Sequence, residues 1–242
     1  MQFAKLRIHG HFLRALVMLA VLFVPFMLSS QSPSLDCSKC LHPKNVIVDH
    51  VFYRGRKAIR VRSLPSADAA YDAQKSGTGG GIVMVDESTF HNGTIDIDVA
   101  GMPQAKAPAL ARGFVGIAFR VPLDASNYDY VYIRPANGRA DDQVRRNHST
   151  QYAAFPNFEW LKLRTEFPGK YESYVDLVSG EWTHLKIKID GVRLRLFVNG
   201  ATQSTLLVND LKLGDRSGGI ALWIGVGTEA YFANLQLKPQ LR

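Results

Sequence analysis

The sequence predicts an all-β protein, a two-sheet antiparallel sandwich of the jelly-roll type. From Asn45 onward the chain is a succession of short β-patterned runs divided by turn residues, and no helical period persists over ten residues. Nothing between the runs has the length and pattern of a crossover helix, so the strands pair antiparallel. About a dozen such strands close into two packed sheets.

Strands are expected at 46–52, 58–62, 81–85, 89–99, 114–121, 128–134, 171–178, 182–190, 192–198, 204–208, 219–224 and 230–237. The warrant is a side-chain period of two. Ile95, Ile97 and Val99 alternate with Asp96 and Asp98, and Val115, Ile117, Phe119 and Val121 share one face of the next run. The clearest pair is a hairpin. Leu185, Ile187 and Ile189 alternate with Lys186, Lys188 and Asp190, and beyond the turn at Asp190-Gly191 Leu194, Leu196 and Val198 alternate with Arg195 and Phe197. Asn199-Gly200 supplies a further turn. One face of each strand is core and the other is wet.

Two stretches interrupt this rhythm. Residues 67–80 are small, polar and glycine-rich, which suits a surface loop; no Lys-Ser/Thr follows and no helix opens, so they are a poor phosphate cradle. Residues 135–158 run without usable periodicity for longer than the ~12–15 residues of ordinary loops, and such excursions are functional or disordered. Their content of Arg139, Asp141, Asp142, Arg145, Arg146, His148, Tyr152, Phe155 and Phe158 argues for function. The excursion is expected to fold over the strand face bearing Tyr130, Tyr132 and Arg134, so that Asp141, Asp142, Arg145 and His148 border one concave pocket.

At the N-terminus, Lys5, Arg7 and Arg14 precede an apolar run at 15–28, which is shorter than the ~20 residues a spanning helix needs. This is a signal-peptide layout over 1–32, with cleavage expected within 29–34. It implies a secreted or periplasmic protein with no stable membrane insertion after cleavage. Loss of the segment lowers the formal charge from +8 to +5, because it carries three of the basic residues and no acid. Lys and Arg are otherwise interspersed with Asp and Glu, so no nucleic-acid surface is indicated. An arm at 33–44 carries Cys37 and Cys40, the two cysteines of the chain, ahead of the sandwich at 45–238. In an oxidising compartment a short-loop disulfide is the default pairing. The alternative is a zinc site with His42 and His50, although the spacing matches no standard finger.

Tyr130, Tyr132 and Arg134 form a stripe leading into the excursion, and Trp223 stands opposite Ile220 and Leu222 on its own strand. Such aromatics either stack on the apolar faces of sugar rings or serve cross-strand packing. His148, close in sequence to Asp141 and Asp142, is the candidate acid/base; Arg139, Arg145 and Arg146 either fork onto ligand oxygens or pair with the aspartates. Asp96 and Asp98 sit about 7 Å apart on one strand face, a spacing suited to a carboxylate pair or to the wet side of an amphipathic strand.

The runs Phe90-His91-Asn92-Gly93-Thr94-Ile95-Asp96-Ile97-Asp98, Gly116-Ile117-Ala118-Phe119-Arg120 and Tyr130-Val131-Tyr132-Ile133-Arg134 recur in a recognisable order. They continue with Gly180-Glu181-Trp182-Thr183-His184, Leu196-Phe197-Val198-Asn199-Gly200, Gly218-Gly219-Ile220-Ala221-Leu222-Trp223 and Tyr231-Phe232-Ala233-Asn234-Leu235. This order resembles the concanavalin A-like lectin/glucanase superfamily, most closely the bacterial 3-keto-disaccharide hydrolase-like (laminin-G-like) domain family. The resemblance implies an exported domain that interacts with carbohydrate, binding a glycan on a concave sheet face. Its alternatives are a glycoside hydrolase acting on a 3-keto-sugar or β-glucan, and a non-catalytic adhesion or structural module. Read from the residues themselves, the candidate site is Tyr130, Tyr132, Arg134, Arg139, Arg145, Arg146 and Trp223 for substrate, with Asp141, Asp142 and His148 for catalysis. Calcium is a guest of the superfamily, but no Asp-rich ligand loop assigns it a place here, and no other cofactor is expected. Laminarinase-like relatives carry Glu-x-Asp followed by a further Glu, whereas the nearest match here is Asp96-Ile97-Asp98, so retaining catalysis of that kind is not expected.

Overall fold

The computed structural model describes residues 33, 35–65 and 80–240, so the expected signal peptide and nearly all of the glycine-rich stretch lie outside the described residues. Among these residues the elements, in chain order, are β1 (Leu41–Lys44), β2 (Val46–Tyr53), β3 (Arg56–Ser63), β4 (Gly81–Phe90), β5 (Gly93–Pro103), β6 (Val115–Val121) and β7 (Tyr128–Ile133). There follow helix α1 (Gln143–Asn147), β8 (Thr150–Phe155), helix α2 (Trp160–Glu166), β9 (Glu172–Ser173), β10 (Thr183–Asp190), β11 (Arg193–Val198), β12 (Leu206–Val208), β13 (Gly218–Ile224) and β14 (Thr228–Pro239). They build two seven-stranded sheets, ordered β1-β4-β13-β6-β7-β8-β9 and β12-β11-β10-β5-β14-β3-β2. The fold is a two-sheet antiparallel jelly-roll sandwich.

Register explains why the alternating residues form one core. In the second sheet Leu196, Ile187, Ile95 and Leu237 stand directly opposite one another across four strands. Val83, Leu222, Ile117 and Val131 form the matching row in the first sheet. All eight are buried, and directly opposed residues share a face, so these rows supply the apolar contact between sheets.

Where the elements differ from expectation, local chemistry gives the reason. The run expected at 89–99 is two strands, because Gly93 adopts φ +136° after a turn at His91-Asn92 and the chain reverses there. The strand expected at 171–178 shrinks to two residues. β8 lies inside the supposed excursion; almost all its residues are buried, so it lacks the wet/dry alternation that marks a half-exposed strand. β1 contains Pro43 and is an edge strand, the position in a sheet that tolerates a missing N–H. Cys37 and Cys40 are joined by a disulfide with Cα atoms 5.3 Å apart, so neither thiol serves a zinc site.

Candidate functional site

Because Val131 and Ile133 belong to the inter-sheet side of β7, its other face carries Tyr128, Tyr130 and Tyr132, followed by Arg134 just past the strand end. Tyr132 stands opposite Gly116 of β6, and Gly116 opposite Trp223 of β13. A Cβ on Gly116 would lie 2.1 Å from the Val131 carbonyl and 2.6 Å from the Tyr132 Cβ, so only glycine permits this approach. Across it the Tyr132 and Trp223 rings sit 4.7 Å apart, Tyr130 and Trp223 4.8 Å, and Tyr130 and Tyr132 5.6 Å.

Helix α2 packs against this aromatic floor. Its N-cap residue, Glu159, accepts a 2.5 Å hydrogen bond from the Tyr130 hydroxyl. Two depressions of about 160 Å³ each flank it. The one at the Tyr128 end is bordered by Lys44, Tyr128, Phe155, Glu159 and Trp223, among others. The one at the Arg134 end is bordered by Leu110, Arg112, Phe114, Arg134, Asn137, Arg145, His148, Trp160 and Arg164.

The Arg134-end cavity has an unusual charge make-up: four guanidinium groups and a histidine line it, with no carboxylate among its lining residues. Behind the wall lies buried Glu172. Arg134 Nη1 donates to it at 3.1 Å, and Arg164 donates through Nε at 3.0 Å and through Nη2. Burial alone would raise the Glu172 carboxyl, but the Arg164 hydrogen bond and the charges of Arg134, Arg164 and His148 hold it below its ordinary value of 4.5. Arg134 also donates to the Tyr132 hydroxyl at 2.9 Å, to Gln151 Oε1 at 3.0 Å and to the His148 carbonyl at 2.9 Å, which fixes its plane. Burial, opposed by Glu172 and reinforced by Arg164 and Arg134, pushes the His148 imidazole below 6.5 and keeps it neutral at pH 7. Its Nδ1 lies 3.1 Å from Glu172 Oε2 but outside hydrogen-bond alignment. Arg112 is held below its ordinary value by burial and by the neighbouring charges of Arg145 and Arg134. Three buried polar atoms on the lining residues, Asn137 Oδ1, Arg145 Nε and His148 Nδ1, find no hydrogen-bond partner within the protein. Apolar surface comes from Phe114 and from Trp160, whose ring has the Arg164 guanidinium 4.7 Å from its centre.

The residues proposed from sequence fall into three groups. Arg134, Arg145 and His148 do line one cavity. Asp141 and Asp142 do not. Asp142 is the N-cap of α1, accepting from the Arg145 backbone N–H at 3.1 Å, and Asp141 is exposed beside it. Arg139 is drawn away by Asp176, to which it makes two hydrogen bonds of 2.7 and 2.8 Å, and Arg146 lies over the Tyr174 ring and donates to its hydroxyl. Tyr130, Tyr132 and Trp223 cluster as the stripe suggested, but each is at most 2% exposed, so they are a floor and not an open stacking platform. The excursion does not fold over the stripe as one loop: its first half holds α1 at the Arg134 end, and its second half forms β8, which extends the sheet beside β7 instead of covering its face. Asp96 and Asp98 are not a free carboxylate pair, since Lys238 donates to Asp96 at 3.1 Å and Arg56 to Asp98 at 2.5 Å. Sequence reasoning missed Arg112, Phe114, Trp160 and Arg164. The one local signal was the Trp160/Arg164 pair, four residues apart and therefore on one helix face.

No protein-family model matches the chain, and no curated protein matches it in sequence. Solved structures do match. One is a Bacillus subtilis protein of unknown function with a galectin-like fold, 12% identical, with TM-score 0.55 over 87% of this chain and 94% of that one. Another is the carbohydrate binding module CBM66 of Bacillus subtilis, 15% identical, with TM-score 0.51 over 82% of this chain and 96% of that one. At these identities the likeness is one of fold, and it agrees with the two-sheet jelly-roll sandwich described above. The narrower resemblance to the 3-keto-disaccharide hydrolase-like family has no match behind it.

Proposed function

We propose that this chain is an exported carbohydrate-binding domain that holds a sugar in the cavity between α1, α2 and the Arg134 end of β7, without turnover. The cavity carries the reading. Its wall sets the guanidiniums of Arg112 and Arg145 and the Asn137 amide beside the apolar surfaces of Phe114 and Trp160. Sugar hydroxyls both donate and accept, and pyranose C–H faces lie on aromatic rings. The shared fold with a carbohydrate binding module supports the same reading. Hydrolysis needs two carboxylates facing one bond, whereas no carboxylate lines the cavity and Glu172 behind it already accepts from two arginines. Secretion or periplasmic residence is supported by the Cys37–Cys40 disulfide, a bond that persists in oxidising compartments.

Glycan-array screening of the mature protein tests this reading. Trp160→Ala should weaken the binding it finds by about 1–3 kcal/mol, the scale for losing a partly buried aromatic contact. Cleavage products from a bound glycan would replace the binding module with a hydrolase, and retention of full affinity in Trp160→Ala would move the site elsewhere.

A further inference from the structure

We infer that the sugar held in this cavity is anionic, carrying a carboxylate or sulfate whose oxygens are gripped by Arg112 and Arg145; the inference rests on the carbohydrate-binding reading above. Four guanidiniums line the cavity, and arginine stays protonated in proteins. Arg134 and Arg164 share the single carboxylate of Glu172, whereas no carboxylate among the described residues pairs with Arg112 or Arg145. Arg112 uses one nitrogen, Nη1, on the carbonyls of Ala109 and Ala111 at 2.6 and 2.8 Å, and Arg145 donates through Nη2 to the Ala136 carbonyl at 3.4 Å. These bonds anchor the two side chains by backbone oxygens, without neutralising them. His148, neutral or cationic, offers no counter-charge either. Holding like charges side by side on a half-buried cavity wall without a counter-charge costs free energy, which an anion entering the cavity would recover through forked hydrogen bonds.

The position of the charges selects an acidic sugar over a bare inorganic anion. Arg112 and Arg145 share the cavity with Phe114, Leu110 and Trp160, so an occupant that satisfies the guanidiniums also meets apolar surface. A pyranose bearing one acidic substituent presents both surfaces together.

The test measures affinity of the intact mature protein for three sets of oligosaccharides of matched length: uronates, sulfated neutral sugars and their unmodified neutral counterparts. The expected result is binding of an acidic set at least about tenfold tighter than its neutral counterpart, weakening as salt rises. Uronates alone bound would identify the carboxylate source, and sulfated sugars alone the sulfate source. Arg112→Gln and Arg145→Gln should each remove about tenfold or more of that affinity, and Arg145→Lys should restore part of it by returning charge without the fork. Arg145 sits on a half-exposed helix face, so its variants keep the fold. Equal binding of acidic and neutral sugars, or acidic binding untouched by both glutamine variants, would overturn the anionic ligand and leave carbohydrate binding standing. Absence of binding to every sugar would instead remove the reading on which it rests.

Discussion

Arg120 concentrates more hydrogen bonding than any cavity residue, yet it belongs to the opposite end of β6 from Phe114. It is fully buried and adopts φ +55°, a left-handed conformation that costs a non-glycine residue of order 1 kcal/mol. The strain is maintained because its guanidinium donates to the carbonyls of His91, Gly191 and Gly214 and to the side chains of Asn92 and Asp215, at 2.8–3.2 Å. One side chain thereby ties the β4–β5 turn, the β10–β11 turn and the segment before β13. Arg120→Met keeps much of the volume but strands several buried acceptors, so stability should fall by about 3–5 kcal/mol in urea unfolding. The knot lies about 20 Å along the strand from Phe114, so glycan affinity of the folded variant should be unchanged. A loss under about 1 kcal/mol would show that water replaces these bonds without cost. Nothing in the sequence distinguished Arg120 from its neighbours, since it occupies an ordinary alternating position in Gly116-Ile117-Ala118-Phe119-Arg120.

Glu172 plays the corresponding part among elements. It lies in β9, and its partners come from the end of β7, from α2 and, in His148, from the end of α1. Its carboxyl titrates below 4.5 in the folded protein, so as acid is added the unfolded chain takes up the proton first and stability is lost through and below that value. His148 acts in the same direction at higher pH: the unfolded imidazole protonates near 6.5 while the buried one stays neutral, so stability already declines below that point. Urea midpoints should therefore fall continuously from about pH 7 to about pH 4. Glu172→Gln should start lower at neutral pH and show a shallower acid slope; an unchanged slope would place the acid sensitivity elsewhere. These same elements were the least legible ones. α2 spans under two helical turns, too short to impose a 3.6-residue period, and β8 is buried on both faces. Half-wet strands such as β10 and β11 were plain because Leu185, Ile187 and Ile189 alternate with lysines and Asp190. The sequence thus revealed the sandwich more readily than the cavity, whose lining comes from the 104–114 segment, α1, α2 and the end of β7 and converges only after folding.

At the scale of the whole molecule, stability rests on the apolar rows between the sheets, and the N-terminal arm joins them from the side. β1 pairs with β4 in the register Leu41 opposite Val85, Leu41 is buried, and His42 Nε2 meets Asp86 at 2.8 Å. The arm is thus held by strand pairing downstream of its disulfide, and the Cys37–Cys40 bridge closes only a single turn around Ser38–Cys40. Loop-closure entropy for so short a ring amounts to about 2 kcal/mol at most, below what a bridge across a long loop supplies. Even that figure applies fully only if the arm unfolds together with the sandwich. An edge strand with a proline and few buried side chains opens locally at less cost than the core. Replacing Cys37 and Cys40 together by serine should therefore shift the global unfolding midpoint by under about 2 kcal/mol while accelerating amide exchange over residues 37–44. Exchange in β10 and β13, interior strands of the two sheets, should stay as slow as in the parent protein. Reduction of the parent protein by a thiol should reproduce the pattern without any substitution. Faster exchange spreading into β10 or β13 would show that the bridge supports the sandwich itself, and would contradict the placement of the arm as a separately opening edge.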